Sequence, residues 1–324
     1  MPRILLTTTS FQDTPGQHHD LLEKAGFDLV RDRGPLSEQR LLELIKEHGG
    51  FDGLLNGDDK ITANVIDTAL NAPTPLRVIS KYGIGLDSID TDHAKEKGIP
   101  VLFTPGVNET TVAEHTIGLM ISLGKRFQPH MQATREGQWK RKTGMELRDK
   151  TVGIIGLGRI GRAVAQRLAP FGVSFVGYDP YWPEEFASEY QITQASDIDD
   201  LVQQADIVTI HTGASPENRH LIDEARLKEM KPGSMLINTA RGTLVDENAI
   251  AEACEAGHLW GYATDVLETE PMQAPHPFQK LDNVIVTPHI ASRTFGSIQR
   301  QGSRAVQNLV NYLNGDDDYI QANK

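Results

Sequence analysis

The chain of 324 residues carries 32 lysines and arginines against 44 aspartates and glutamates, a formal net charge of −12. That acidic balance argues against nucleic acid or an anionic membrane as the main partner, and the length suits two domains with sizeable cores. With 39% hydrophobic and 23% charged residues, the composition is that of an ordinary globular protein, not a disordered or fibrous one. The single cysteine, Cys254, rules out an internal disulfide and lies among alanines at helical spacing, as a buried thiol would. The N-terminus turns polar at Thr7, too early for a signal peptide, and the longest nearly apolar stretch, Thr116 to Gly124, is too short for a bilayer span. No membrane association and a cytoplasmic location are therefore expected.

Short apolar runs alternate with helical patterns almost from end to end, the signature of βα units and parallel sheets. In chain order, strands are predicted at Arg3 to Thr9, Phe27 to Arg31, Gly53 to Leu55, Arg77 to Lys81 and Val101 to Thr104. Helices are predicted between them near Gln17 to Ala25, Ser37 to Glu47 and Thr62 to Leu70. The character changes at Thr104-Pro105-Gly106, a turn followed by a helix from about Glu109 to Phe127, which places a domain boundary there. After a basic stretch, Arg135 to Lys150, a second series has strands at Thr151 to Ile155, Ser174 to Tyr178, Ile207 to His211, Met235 to Asn238, Ala263 to Val266 and Val284 to Thr287. Residues Thr294 to Lys324 begin as a helix with no strand after it, so this helix is expected to pack on the first domain. Gly315-Asp316-Asp317-Asp318 reads as a solvated end.

The run Thr151 to Gly161 is an apolar strand leading straight into Gly156-Leu157-Gly158-Arg159-Ile160-Gly161 and then an alanine-rich helix. In this G-x-G-x-x-G pattern Gly156 permits the tight turn, Gly158 lets the backbone approach a pyrophosphate, and Gly161 allows close helix-to-strand packing. The helix N-terminus near Arg159 supplies an anion site. The next strand ends at Asp179, 18 residues beyond Gly161, where a carboxylate accepts from a ribose diol and repels a 2′-phosphate, favouring NAD over NADP. The expected fold class is α/β with two doubly wound parallel-sheet domains. A Rossmann-like NAD domain, 104–293, is inserted into a flavodoxin-like substrate domain formed by 1–103 and 294–324.

Ligands of open α/β sheets sit outside the carboxyl ends of the strands, and three later strand ends carry complementary groups. Arg241 follows Met235 to Asn238, Glu270 lies in the loop after Ala263 to Val266, and His289 follows Val284 to Thr287. A guanidinium holds a carboxylate bidentately and polarises a neighbouring carbonyl. Histidine exchanges protons near neutral pH, and an acidic partner stabilises the imidazolium and fixes its ring. Hydride transfer at C2 of a 2-oxo acid needs that set and no metal. None of the 11 histidines falls in an H-E-x-x-H or H-x-H pattern, and His18 and His19, adjacent on a helix, are expected to face different directions.

With these motifs the chain resembles the D-isomer-specific 2-hydroxyacid dehydrogenase family. The resemblance also covers Ser80-Lys81-Tyr82-Gly83-Ile84-Gly85-Leu86-Asp87, Gly106-Val107-Asn108-Glu109, Ala113-Glu114-His115-Thr116, Asn238-Thr239-Ala240-Arg241-Gly242, Asp265-Val266-Leu267-Glu268 and Thr287-Pro288-His289-Ile290-Ala291. It implies His289 as general acid/base, Glu270 as its partner and Arg241 as substrate anchor. It also implies a substrate carboxylate at the backbone of Lys81, Tyr82 and Gly83, with the Lys81 charge adding to it. Arg159 and Ile160 would lie on the pyrophosphate, Thr212, Thr239 and Ala240 along the cofactor, and Asp265 at the nicotinamide carboxamide. A small anionic substrate and a homodimer paired through the NAD domains, with the helix near Glu109 in the contact, follow from the same resemblance.

Two departures concern a cofactor loop and the substrate in turn. Leu-His-x-Pro of the family is His211-Thr212-Gly213-Ala214 here. Where phosphoglycerate dehydrogenases carry an arginine toward the substrate phosphate, this chain has Asn56-Gly57-Asp58-Asp59-Lys60, whose two acids would repel one, although Lys60 and Asn108 remain candidate contacts. No C-terminal regulatory domain is expected. Besides a dehydrogenase, a phosphoglycerate dehydrogenase proper and an NAD(H)-sensing scaffold fit the motifs. His115 reads as a packing or capping residue, and Trp139 with Lys140, Arg141 and Lys142 as a solvated loop.

Overall fold

The computed structural model describes residues 1–324, which form two compact units, Met1–Asn108 with Arg293–Lys324, and Glu109–Ser292. The second unit starts with the helix Glu109–Gly124, a few residues beyond the Thr104-Pro105-Gly106 turn.

In the first unit five parallel strands, β1 (Arg3–Leu6), β2 (Asp28–Arg31), β3 (Gly53–Asn56), β4 (Val78–Lys81) and β5 (Val101–Leu102), run in the order β2-β1-β3-β4-β5. This is the flavodoxin-like order, with its switch point between β1 and β3. β3 and β4 are buried throughout, as strands covered on both faces must be. β1 ends sooner than the apolar run suggests, because Thr8 is an N-cap whose hydroxyl accepts from Phe11 N at the start of the helix Thr9–Asp13. Ser37 and Thr62 cap Glu38–His48 and Ala63–Leu70 in the same way.

The terminal helix Phe295–Asn314, capped by Thr294, belongs to this unit and buries Ala305, Val306 and Leu309 in one cluster with Ile4, Leu6, Phe11, Leu22 and Leu55. Asp316–Asp318 are exposed, but they are a turn and not an end. The chain comes back antiparallel beside β5, where Phe103 N donates to Ile320 O (3.1 Å) and Ala322 N to Val101 O (2.8 Å). The rings of His18 and His19 do not diverge either. Each bonds a carbonyl of the preceding turn, Phe11 and Thr14, and their centroids are 4.4 Å apart.

The second unit has seven parallel strands, β6 (Thr151–Ile155), β7 (Ser174–Tyr178), β8 (Ile192–Gln194), β9 (Ile207–Ile210), β10 (Ser234–Asn238), β11 (Leu259–Thr264) and β12 (Val284–Val286). Their order, β12-β11-β10-β9-β6-β7-β8, is the Rossmann arrangement extended by one strand, with the switch point between β6 and β9. β8 escapes a hydrophobicity reading because it is a three-residue edge strand with Thr193 and Gln194 exposed. β11 starts earlier than expected, with Gly261 inside it, where a side chain would strike the Asn283 backbone. Ala113, Ile117, Met120 and Leu123 of the long helix pack in one core with Val164, Leu168 and Ile237. That helix stops at Gly124; Arg126, at φ 55°, opens a separate helix, Phe127–Arg135. No helix in the chain is long and apolar enough to cross a membrane.

Candidate active site

The glycine turn joins β6 to the helix Arg159–Leu168, with Gly158 as the N-cap and Arg159 at the first helical position. At Gly161 a Cβ would lie 2.0 Å from Gly156 O, so only glycine lets the helix approach the strand this closely. At Gly158 a Cβ would meet nothing within 4 Å, which leaves backbone exposed at the helix start. These features fit a pyrophosphate held on the helix N-terminus by Arg159 and Ile160. Asp179, at the end of β7, accepts from Leu157 N and Tyr181 N, both at 2.7 Å. One amide on each oxygen anchors the carboxylate to the glycine turn and leaves lone pairs for a diol. Thr212 follows β9 beside the Gly156 turn. Thr239 is turned inward, its hydroxyl 2.9 Å from that of Thr116, while Ala240 is half-buried.

Arg241, Glu270 and His289 stand in the loops after β10, β11 and β12, neighbours in the sheet. The Asn238 side chain shapes the first turn, donating to Arg241 O (2.8 Å) and accepting from Ala240 N (3.0 Å). The Arg241 guanidinium donates back to Ala240 O at 2.7 Å. At Gly242 a Cβ would lie 1.9 Å from the Leu267 carbonyl carbon, so the arginine turn is packed directly on the loop that carries Glu270. Glu270 Oε1 accepts from Leu267 N (2.9 Å), and Oε2 lies 2.7 Å from His289 Nδ1. Both side chains stay open to solvent, 37% and 43% exposed respectively.

Asp265 is the buried charge of this region. Its carboxylate accepts from Thr287 Oγ1 (2.5 Å), Ile290 N (2.9 Å) and Ala291 N (2.7 Å), and its carbonyl accepts from His289 N (2.8 Å). Burial opposes its ionisation, but the hydrogen bonds from His115, Thr287, Ile290 and Ala291 outweigh that and hold the carboxyl below its usual range. The structure thus gives Asp265 a part in building the turn that bears His289. Asn238 and Thr287 matter to these turns as well; the sequence signal for Asn238 is an Asx residue where a strand gives way to a turn.

In the first unit the residues matched to substrate binding are already engaged. Lys81 is 2% exposed, and its ammonium donates to Gly57 O (2.5 Å) and Asp58 Oδ1 (2.6 Å), so its charge is met locally. Tyr82 N donates to Asn56 O and Gly83 N to Thr104 Oγ1. The two acids of Asp58-Asp59 differ. Asp58 is largely exposed, whereas Asp59 is wholly buried and accepts from Thr7 Oγ1, Leu36 N and Gly57 N. Desolvation therefore raises the Asp59 carboxyl above its usual range. Cys254 is buried and its thiol is pushed up to about 12, which makes it inert as a nucleophile.

The glycine turn after β6 and the loops bearing Arg241, Glu270 and His289 all stand at strand ends of one Rossmann sheet. Residues 117–291 match the family described as D-isomer specific 2-hydroxyacid dehydrogenase, NAD binding domain. The chain is 41% identical over 288 residues to the glyoxylate reductase of Thermofilum pendens, covering 87% of this chain and 83% of that protein. It is 36% identical to the D-3-phosphoglycerate dehydrogenase of Methanocaldococcus jannaschii, covering 98% of this chain but only 58% of that protein. The crystal structure of a Thermus thermophilus protein superposes with a TM-score of 0.87 at 34% identity, covering 99% of both chains. The chain belongs to the D-isomer-specific 2-hydroxyacid dehydrogenase family.

Proposed function

We propose that the chain is an NAD-dependent oxidoreductase that interconverts a small D-2-hydroxy acid and its 2-oxo acid. The observation that carries this reading is the 2.7 Å contact of His289 Nδ1 with Glu270 Oε2, in solvent-open loops at adjoining strand ends. Arg241 binds the substrate carboxylate and polarises the C2 carbonyl. Glu270 orients the imidazole, and His289 gives its proton to the carbonyl oxygen in reduction and recovers it from the hydroxyl in oxidation. The bound nicotinamide supplies or takes up the hydride at C2. Asp179 selects NAD over NADP through the ribose diol.

The lack of an arginine in the segment Asn56 to Lys60 supports an unphosphorylated substrate such as glyoxylate or hydroxypyruvate. The 36% identity to a phosphoglycerate dehydrogenase keeps 3-phosphoglycerate as the second reading. A homodimer paired through Glu109–Ser292 belongs to the same proposal, and the exposed Phe127, Met131 and Trp139 supply apolar surface for it. NADH oxidation against glyoxylate, hydroxypyruvate, pyruvate, branched-chain 2-oxo acids and 3-phosphohydroxypyruvate, repeated with NADPH, tests the reading. The expected result is highest kcat/KM on an unphosphorylated acid with NADH. Preference for the phosphorylated acid would install the second reading, and equal use of NADPH would remove the role of Asp179.

A further inference from the structure

His289 is not a glycine, yet its backbone sits at φ 53°, in the left-handed region. That conformation is unfavourable for a residue with a side chain and persists only where the surroundings impose it. Here the three consecutive amides of His289, Ile290 and Ala291 all donate to Asp265. The imposing structure extends one layer further, to the helix Glu109–Gly124. His115 Nε2 lies 3.0 Å from Thr287 Oγ1 and 3.5 Å from Asp265 Oδ1, and Thr111 Oγ1 donates to Ala291 O at 3.3 Å. Residues 111 and 115 are one helical turn apart, so one face of the helix grips both ends of the turn 287–291. The single Thr287 hydroxyl proton goes to the carboxylate at 2.5 Å, so the imidazole of His115 is the donor toward Thr287.

We propose that His115 is a positioning residue for the reaction: through Thr287 and Asp265 it holds the strained turn that presents His289. The inference rests on His289 being the proton carrier of the proposed function. A packing role alone would make His115 matter for stability and not for the chemical step. Acting through His289, it matters for turnover while nucleotide affinity is kept, and its effect vanishes once His289 is gone.

The test measures kcat, KM for the preferred 2-oxo acid, Kd for NADH and Tm in His115→Phe, His115→Gln, His289→Ala and the double variant His115→Phe/His289→Ala. His115→Phe keeps the bulk without the donor, and it is expected to lose about tenfold in kcat with KM and Kd within about threefold of the parent. These expectations correspond to one lost hydrogen bond. His115→Gln, which restores an N–H donor, is expected to recover most of that loss. The double variant is expected to match His289→Ala. A His115→Phe enzyme with kcat within twofold of the parent, or a loss that adds in full to that of His289→Ala, overturns the inference. Should His115→Phe not fold, Thr287→Val removes the intermediate hydroxyl and carries the same expectations. Undiminished turnover in His289→Ala overturns the proposed function itself, a different result from failure at His115 alone.

Discussion

At the carboxyl ends of β3 and β4 two charged side chains turn inward. Asp59 and Lys81 are buried, and their partners are Thr7, Leu36, Gly57 and Asp58 of the same unit. At the ends of β10, β11 and β12 the polarity is reversed: Glu270 and His289 face solvent, and the one buried charge, Asp265, is used up in holding the turn around them. Two sheets of the same doubly wound type thus treat ionisable groups differently. In the first unit charge shapes loops. In the second, a buried charge shapes the loop on which exposed ones stand. Strand-end position marks where a site belongs in such folds, but burial and partners decide which charges take part.

The comparison predicts that substitutions at the two sets of strand ends act on different observables. The largest effect is expected at His289→Ala, a fall in kcat of about 10² or more with NADH affinity kept, because general acid/base catalysis contributes roughly 10² to 10⁴. Steady-state kinetics beside NADH titration measure it, and near-normal turnover would break the comparison at its strongest point. Arg241→Ala comes next. Loss of a charge-assisted anchor is expected to lower kcat/KM about 10²-fold through both kcat and KM, with Tm unchanged. Asp59→Ala should do the opposite. Thr7, Leu36 and Gly57 lose a buried acceptor, partly offset by removal of a carboxylate that burial disfavours, for a net cost of about 2 kcal/mol and a Tm lowered by about 4 °C or more. If Asp59→Ala spares stability and abolishes turnover, the division between the two regions is wrong.

The sequence exposes much of this and hides the rest for physical reasons. The βα alternation, the glycine turn and the Arg, Glu and His loops are visible because each depends on local residue types. The fate of Lys81 is not visible, since its burial depends on Gly57 and Asp58 from another strand end. Thr8 looks like strand and is an N-cap, and Gly315 to Asp318 looks like a solvated end, whereas the chain beyond it is tied to β5 by hydrogen bonds that link distant segments. His115 shows the same limit. Its helical position is plain in the sequence, whereas its bond to Thr287, 172 residues away, is a property of tertiary structure alone.

Two histidines within one sheet extend the contrast to pH. His289 after β12 has a carboxylate partner, whereas His211 after β9 meets only the Thr209 hydroxyl at 2.9 Å, and desolvation pushes its imidazole down to about 3. The unfolded chain binds a proton at this residue near pH 6.5, and the folded chain does not until far lower. The stability that His211 contributes is therefore present above pH 6.5 and is lost progressively as pH falls from there toward 3. At pH 5 the loss is about 2 kcal/mol. His211→Asn keeps a polar group beside Thr209 and has nothing to protonate, so its unfolding midpoint in urea should fall less than that of the parent between pH 7 and pH 5. The two proteins are expected to differ by about 2 kcal/mol in that pH response, and equal responses would mean that His211 is solvated and able to ionise in the fold.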